Sequence, residues 1–198
     1  MKILYIDTTT PDLVVAVVED NKITDVTAKA VGVHHSEMLC DKVDEALRKA
    51  NIKFNELTAY ACAIGPGSFT GIRIGVSTVK GYCTAVPLPQ IAVNCLEAIA
   101  MSAHCKTCGS AVIDAGNGYY FADYVKGVAP CLVSYDDERV GVAGKAESAV
   151  DYFDGAIEIV RTHFNKGQFD QSLTPLYIRR SQAEENLKAH SSSDTGYV

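Results

Sequence analysis

Apolar and polar positions along the chain fall into short unbroken hydrophobic runs separated by stretches of helical period. Lys2–Asp7 (KILYID), Leu13–Asp20 (LVVAVVED) and Lys22–Ala28 (KITDVTA) are apolar and β-branched, and the Thr-Pro-Asp and Asp-Asn pieces between them carry turn chemistry. They predict three strands in an antiparallel meander. From Ser36, read as an N-cap, the run SEMLCDKVDEALRKAN puts Leu39, Val43, Ala46, Leu47 and Ala50 in one arc of a helix. Asp41, Asp44, Glu45, Arg48 and Lys49 lie opposite, so the pattern predicts a surface helix with one buried face.

A short buried strand, AYACAI (Ala59–Ile64), leads into the glycine-rich stretch AIGPGSFTGIRIG. A second helix over about Thr70–Thr84, a strand PQIAVN and a helix CLEAIAMSA follow. The order βββαβαβα, with a parallel crossover after the meander, predicts a mixed sheet covered by helices, as in a ribonuclease-H-like half-domain. A second segment starts near Ser110. It offers the strand SAVIDA, an Asn117-Gly118 turn and YYFADYV as a hairpin, then CLVSYD, a weakly helical stretch and AIEIV read as a further strand. No proline- or glycine-rich linker separates the parts, so the expectation is two packed lobes, residues 1–104 and a smaller 105–198.

Composition narrows the class. The 198 residues are 47% hydrophobic, enough for a real core. The apolar runs are far shorter than the roughly 20 residues that span a bilayer, and Asp7 with three threonines interrupts the first of them. A cytoplasmic protein is expected, with no membrane partner. The formal charge of −6 argues against a chain that grips a phosphate backbone unaided, so any nucleic acid is expected to be carried by another chain. Seven cysteines read as reduced thiols. His104–Cys108 (HCKTC) has no second ligand pair at zinc spacing and is read as a loop.

The glycine stretch is not a Walker loop, and Gly65, Gly67 and Gly71 miss GxGxxG by one residue. Two readings remain: a strand-to-helix corner capped by Ser68 or Thr70, or an anion site built on free N–H groups. The helix that follows has apolar Ile72, Val76, Val79 and Cys83 on one side. Ile74, Thr78 and Gly81 lie on the other, and only Arg73, Ser77, Lys80 and Thr84 form a polar strip. So little polar surface predicts cover on both sides, by a partner or by the protein's own second lobe. Met38 in the charged face of the first helix points to the same surface.

Catalytic constellations are not found. Asp7 stands where sugar kinases and actin-like ATPases hold a metal, but Thr8, Thr9, Thr10 and Pro11 follow it instead of glycine, giving the look of a retired phosphate loop. DAGNG (Asp114–Gly118) is equally explained as a hairpin turn. Adjacent His34 and His35 do not converge on one ion, HxxxH and HExxH are absent, and Cys62 and Cys83 sit in apolar settings.

Four stretches, ILYIDTTT, HHSEML, AIGPGSFTGIRIG and TPLYIRRSQAEE, closely resemble the bacterial TsaB (YeaZ) family. The resemblance covers the first hundred residues and part of the tail. It implies an actin-like ATPase (ribonuclease-H-like) fold of two lobes, each a mixed sheet flanked by helices, with the second reduced. It also implies a non-catalytic subunit of the machinery that places threonylcarbamoyl on adenosine 37 of tRNAs decoding ANN codons. The partners would be the transferase TsaD, met through the first two helices, and the ATPase TsaE, with a homodimer as the alternative state of the chain alone. The interface residues implied are Met38, Leu39, Val43, Ile74, Ser77, Thr78 and Gly81. Gly65, Gly67, Ser68 and Arg73 would lie at the seam, where ATP or ADP has a place at the complex interface, with no cofactor or metal held tightly by this chain. Two departures stand out: Gly116-Asn117-Gly118 where the family usually has a basic residue after Asp-Ala, and a deficit between about Val140 and Gln168 that implies a trimmed helical segment. The alternative is an actin-like-fold ATP-hydrolysing enzyme or a glycoprotease-like hydrolase.

Overall fold

The computed structural model describes residues 1–31, 34–102 and 109–178. Strands β1 (Lys2–Asp7), β2 (Leu13–Glu19) and β3 (Ile23–Ala28) form the expected antiparallel meander. After helix α1 (His35–Ala50), β4 (Ala59–Gly65) returns parallel to β1. Helix α2 (Phe69–Ala85) then carries the chain to β5 (Gln90–Asn94), parallel to β4. The sheet order is β3-β2-β1-β4-β5.

Both faces of this sheet are covered, which explains why its central strands read as continuous apolar runs instead of alternating ones. Leu4, Ile6, Val15 and Val17 face α1 and α2, whereas Ile3, Tyr5, Val14, Ala16 and Val18 face α3 (Cys95–Met101) and α4 (Phe153–Lys166). A second sheet, β6 (Ser110–Asp114), β7 (Tyr119–Asp123), β8 (Val128–Val133) and β9 (Gly144–Lys145), packs on the far side of α3 and α4. Ala111, Ile113, Tyr120 and Ala122 join the same apolar cluster.

The second sheet, in the order β8-β7-β6-β9, repeats the first four strands of the first: an antiparallel meander, then a strand parallel to its first member. Where the first lobe has the 16-residue α1, the second has only a 3-10 turn at Glu138–Val142. Two ribonuclease-H-like lobes, the second reduced, are therefore present, as expected. The 104/105 division and His104–Cys108 fall outside the described residues. Among the described residues no helix is long and apolar enough to cross a membrane.

Three expectations need correction. Helix α1 begins two residues earlier, with His34 and not Ser36 at the cap position and no side-chain cap bond, so Ser36 lies inside the first turn. AIEIV is not a strand but the middle of α4, whose Gly155 meets α3 so closely that a Cβ there would strike the Ala98 carbonyl. Its five apolar-rich residues imitate alternation because the helix is buried between two sheets, not along one stripe. Finally, β8 ends at Val133, leaving Ser134–Asp136 of CLVSYD outside it.

Candidate functional site

The site is assembled where the β1–β2 hairpin meets the start of α2. Gly65 has φ +106°, a conformation for which glycine is the ready choice, and it turns β4 toward the helix. Ser68 is the N-cap of α2: its hydroxyl accepts from the Gly71 amide at 3.2 Å while its own amide donates to the Thr9 carbonyl at 2.7 Å. Thr8 Oγ1 donates to the Gly71 carbonyl at 2.7 Å. A Cβ on Gly67 would lie 2.5 Å from the Thr9 carbonyl oxygen, and one on Gly75 would lie 2.6 Å from Thr8 Oγ1. The glycines thus admit the hairpin's backbone against the helix. Of the two sequence readings, the corner is the one built here, and the hairpin takes up the Ser68 amide that an anion would need. Ser68→Ala is expected to cost about 1 kcal/mol, lowering the melting temperature by roughly 2–4 °C. Calorimetry checks it.

Asp7 is sealed inside this junction, with no exposed surface. One carboxylate oxygen accepts from the Thr9 amide at 2.8 Å and the Thr9 hydroxyl at 2.7 Å. The other accepts from the Tyr5 hydroxyl at 3.0 Å and the Tyr152 hydroxyl at 2.9 Å. Burial pushes its carboxyl above the ordinary aspartate value, against the downward pull of the Thr9, Tyr152 and Tyr5 hydrogen bonds. A metal-bound nucleotide of the actin-like type does not fit at this carboxylate, which is saturated by protein donors and has no exposed surface.

This raised value has a signed consequence. A folded state that holds its proton more tightly than the unfolded chain loses stability as pH rises. The window opens near the ordinary value of about 4 and closes at the higher folded value. The stability of the wild type relative to Asp7→Asn is therefore expected to fall with rising pH through that window, read as urea midpoints. A wild type that gains on the variant instead would mean that the hydrogen bonds outweigh burial.

Beside the junction, a cleft of about 360 Å³ runs between the lobes, lined by Thr9, Thr10, Gly67, Ser68, Asp114 and Lys145 among others. A second depression of about 250 Å³ lies between the hairpin, His35 and the α2 residues Thr70 and Ile74. Of the four residues expected at a seam, Gly67 and Ser68 line the cleft and Gly65 is buried beneath it. Arg73 is elsewhere. Its Nε donates to the Tyr177 hydroxyl at 2.9 Å, and its guanidinium lies 3.9 Å from the Phe69 ring centre.

The C-terminal stretch explains that placement. Asp170 bridges Gln90 at the β5 edge, Leu173 is fully buried with α1 and α2, and the Leu176 amide donates to the Ile64 carbonyl at 2.8 Å. Tyr177 then stacks on Phe69 at 4.7 Å. Part of the outer side of α2 is thus covered by the chain's own tail, not by the second lobe. Among the described residues, what remains open is the strip of Ile74 and Thr78, half-buried, with Ser77 and Gly81, exposed; a Cβ on Gly81 would meet none of them within 4 Å. Met38 of α1 is half-buried, and Tyr82 bridges the two helices with its hydroxyl 3.9 Å from the Cys40 sulfur. Leu39 and Val43, expected at the interface, are only 1% and 2% exposed. They belong to the core, because the α1 stripe that includes them is the one facing the sheet. Sequence reasoning missed Tyr152, Ser148 and Tyr177, whose partners lie more than a hundred residues away.

Comparison with known proteins agrees with these features. The family model described as "TsaD: tRNA N6-adenosine threonylcarbamoyltransferase" matches residues 20–129, more than half of the chain. The tRNA threonylcarbamoyladenosine biosynthesis protein TsaB of Escherichia coli (strain K12) is 33% identical over 128 residues, which cover 63% of this chain and 55% of that protein. The chain thus aligns with about half the length of that relative. An uncharacterised protein of Mycobacterium tuberculosis is 30% identical over 202 residues, covering 92% and 93% of the two chains. In fold, YeaZ from Pseudomonas aeruginosa superposes with a TM-score of 0.70 at 20% identity, covering 89% of this chain and all of that one. By sequence this chain belongs to the TsaD family, its similar relatives include TsaB proteins, and its fold is that of YeaZ.

Proposed function

We propose that this chain serves threonylcarbamoyladenosine biosynthesis in tRNA as a non-catalytic scaffold that presents the open strip of α2, with Met38 of α1, to a TsaD transferase. TsaE joins the assembled pair, tRNA is met through the partners, and the site of action is the cytoplasm. The observation that carries the reading is the sealed Asp7: a carboxylate with four protein donors and no exposed surface is unavailable to a metal or a phosphate. Any ATP or ADP used by the assembly then belongs at the seam with the partner. The open strip supports the docking half of the reading, since small side chains at Ser77 and Gly81 let another helix approach closely. It narrows the expected interface to Met38, Ile74, Ser77, Thr78 and Gly81.

The test is co-purification with the TsaD of the same genome, followed by size-exclusion chromatography with light scattering. A one-to-one complex is expected, and the chain run alone reports whether it pairs with itself. Persistent separation of two folded proteins would remove the scaffold reading. Saturable ATP hydrolysis by the chain alone would replace it with the enzyme alternative.

A further inference from the structure

The β1–β2 hairpin is held from two sides, and only one of them is explained by the glycine corner. On the other, the segment leading into α4 reaches across from the second lobe. The Ser148 hydroxyl donates to Asp12 at 2.5 Å, the Ala149 amide donates to Thr10 Oγ1 at 3.1 Å, and the Tyr152 hydroxyl donates to Asp7 at 2.9 Å. Tyr152 also touches the Thr9 hydroxyl at 3.0 Å. These partners are separated by 136 to 145 residues. Four polar positions of one hairpin, Asp7, Thr9, Thr10 and Asp12, are thus matched by one five-residue segment.

That segment is itself pre-shaped. The Asp151 carboxylate accepts from the amides of Glu147 and Ser148 at 3.0 and 2.9 Å, and the Val150 amide donates to the Ser148 hydroxyl at 3.1 Å. Asp12 in turn accepts from the Ala30 amide at 2.7 Å, tying the end of β3 to the same point. Ala149 and Tyr152 are buried in the cluster shared by both sheets. The residues just before the segment, Lys145 to Glu147, line one wall of the 360 Å³ cleft, while Thr9, Thr10 and Pro11 line the other.

We propose that Ser148–Tyr152 is an interlobe latch: by pinning Asp7, Thr10 and Asp12 it fixes the width of the cleft, so that the two sheets move as one body and not about a hinge. Each bond crosses from one lobe to the other, and the bonds are buried or half-buried, where exchange with water gives little compensation for losing them. The latch does not depend on what docks on α2. It makes the hairpin a wedge bonded to α2 on one side and to the second lobe on the other.

Amide hydrogen exchange of the purified full chain tests it. Tyr152→Phe combined with Ser148→Ala keeps the ring in the core while removing two of the three cross-lobe donors. The expected result is exchange at least tenfold faster on both walls of the cleft, Thr9–Asp12 and Gly144–Ala149, with the β1–β4 ladder unchanged. Thr10→Val, made on the opposite lobe, is expected to give the same two-sided pattern and serves as the second variant if the double one does not fold. Faster exchange confined to residues 148–152, no change, or a uniform rise across the chain would each overturn the latch.

Discussion

Replacing Gly71 by alanine is expected to destabilise the protein by about 3 kcal/mol or more, at or beyond the upper end of the usual cost of overpacking. The added Cβ would fall inside the Thr8 carbonyl oxygen, which is backbone and cannot swing aside as a flexible side chain would. To make room the hairpin must lift from α2, breaking the Ser68–Thr9 backbone bond and the Thr8–Gly71 bond, and disturbing the donors gathered on Asp7. Gly81 is the control, ten residues along the same helix. A Cβ there meets open space, and Gly81 lies inside the helix, so Gly81→Ala is expected to stabilise by about 0.5–1 kcal/mol. Urea denaturation of the pair decides the matter. Similar small effects for both substitutions would mean that the corner yields and is not the close junction described.

Gly81→Trp is expected to abolish the proposed association with TsaD, weakening it at least about 100-fold, or roughly 2.8 kcal/mol, while leaving the chain folded. Ile74, Thr78 and Gly81 recur at four and three residues and share one face of α2. A helix packed on that face would sit about 8–10 Å away, axis to axis, and an indole at position 81 would hold it off. Val76→Glu is not an equivalent test. Val76 is 3% exposed among core residues, so a glutamate there loses binding by unfolding the chain. Light scattering of each variant with TsaD, beside its own melting curve, separates the two causes. A folded Gly81→Trp protein that still forms the complex would exclude this strip as the interface.

The fold was largely legible because its signals are local. The continuous apolar runs of β1 and β2, the arc of Leu39, Val43, Ala46, Leu47 and Ala50, and the serine cap of α2 each act within a few residues. Where a helix is buried on two sides the local signal misleads, as AIEIV did within α4. The interface expectation failed at Leu39 and Val43 for a related reason. A face can be assigned to the core or to a partner only when it is known which neighbour covers it.

By itself the sequence determined the order of elements in the first lobe, the glycine-rich turn between β4 and α2, and the loss of a glycine phosphate loop after Asp7, since these depend on backbone freedom and side-chain period over short distances. Only the tertiary structure decided what occupies Asp7, what covers α2 and what joins the lobes. Tyr152 reaches Asp7 across 145 residues, and Tyr177 reaches Arg73 across 104. A tyrosine or a serine in a loop carries no local mark of its partner; the partner is chosen when two sheets close on a shared core, and long-range packing sets that geometry.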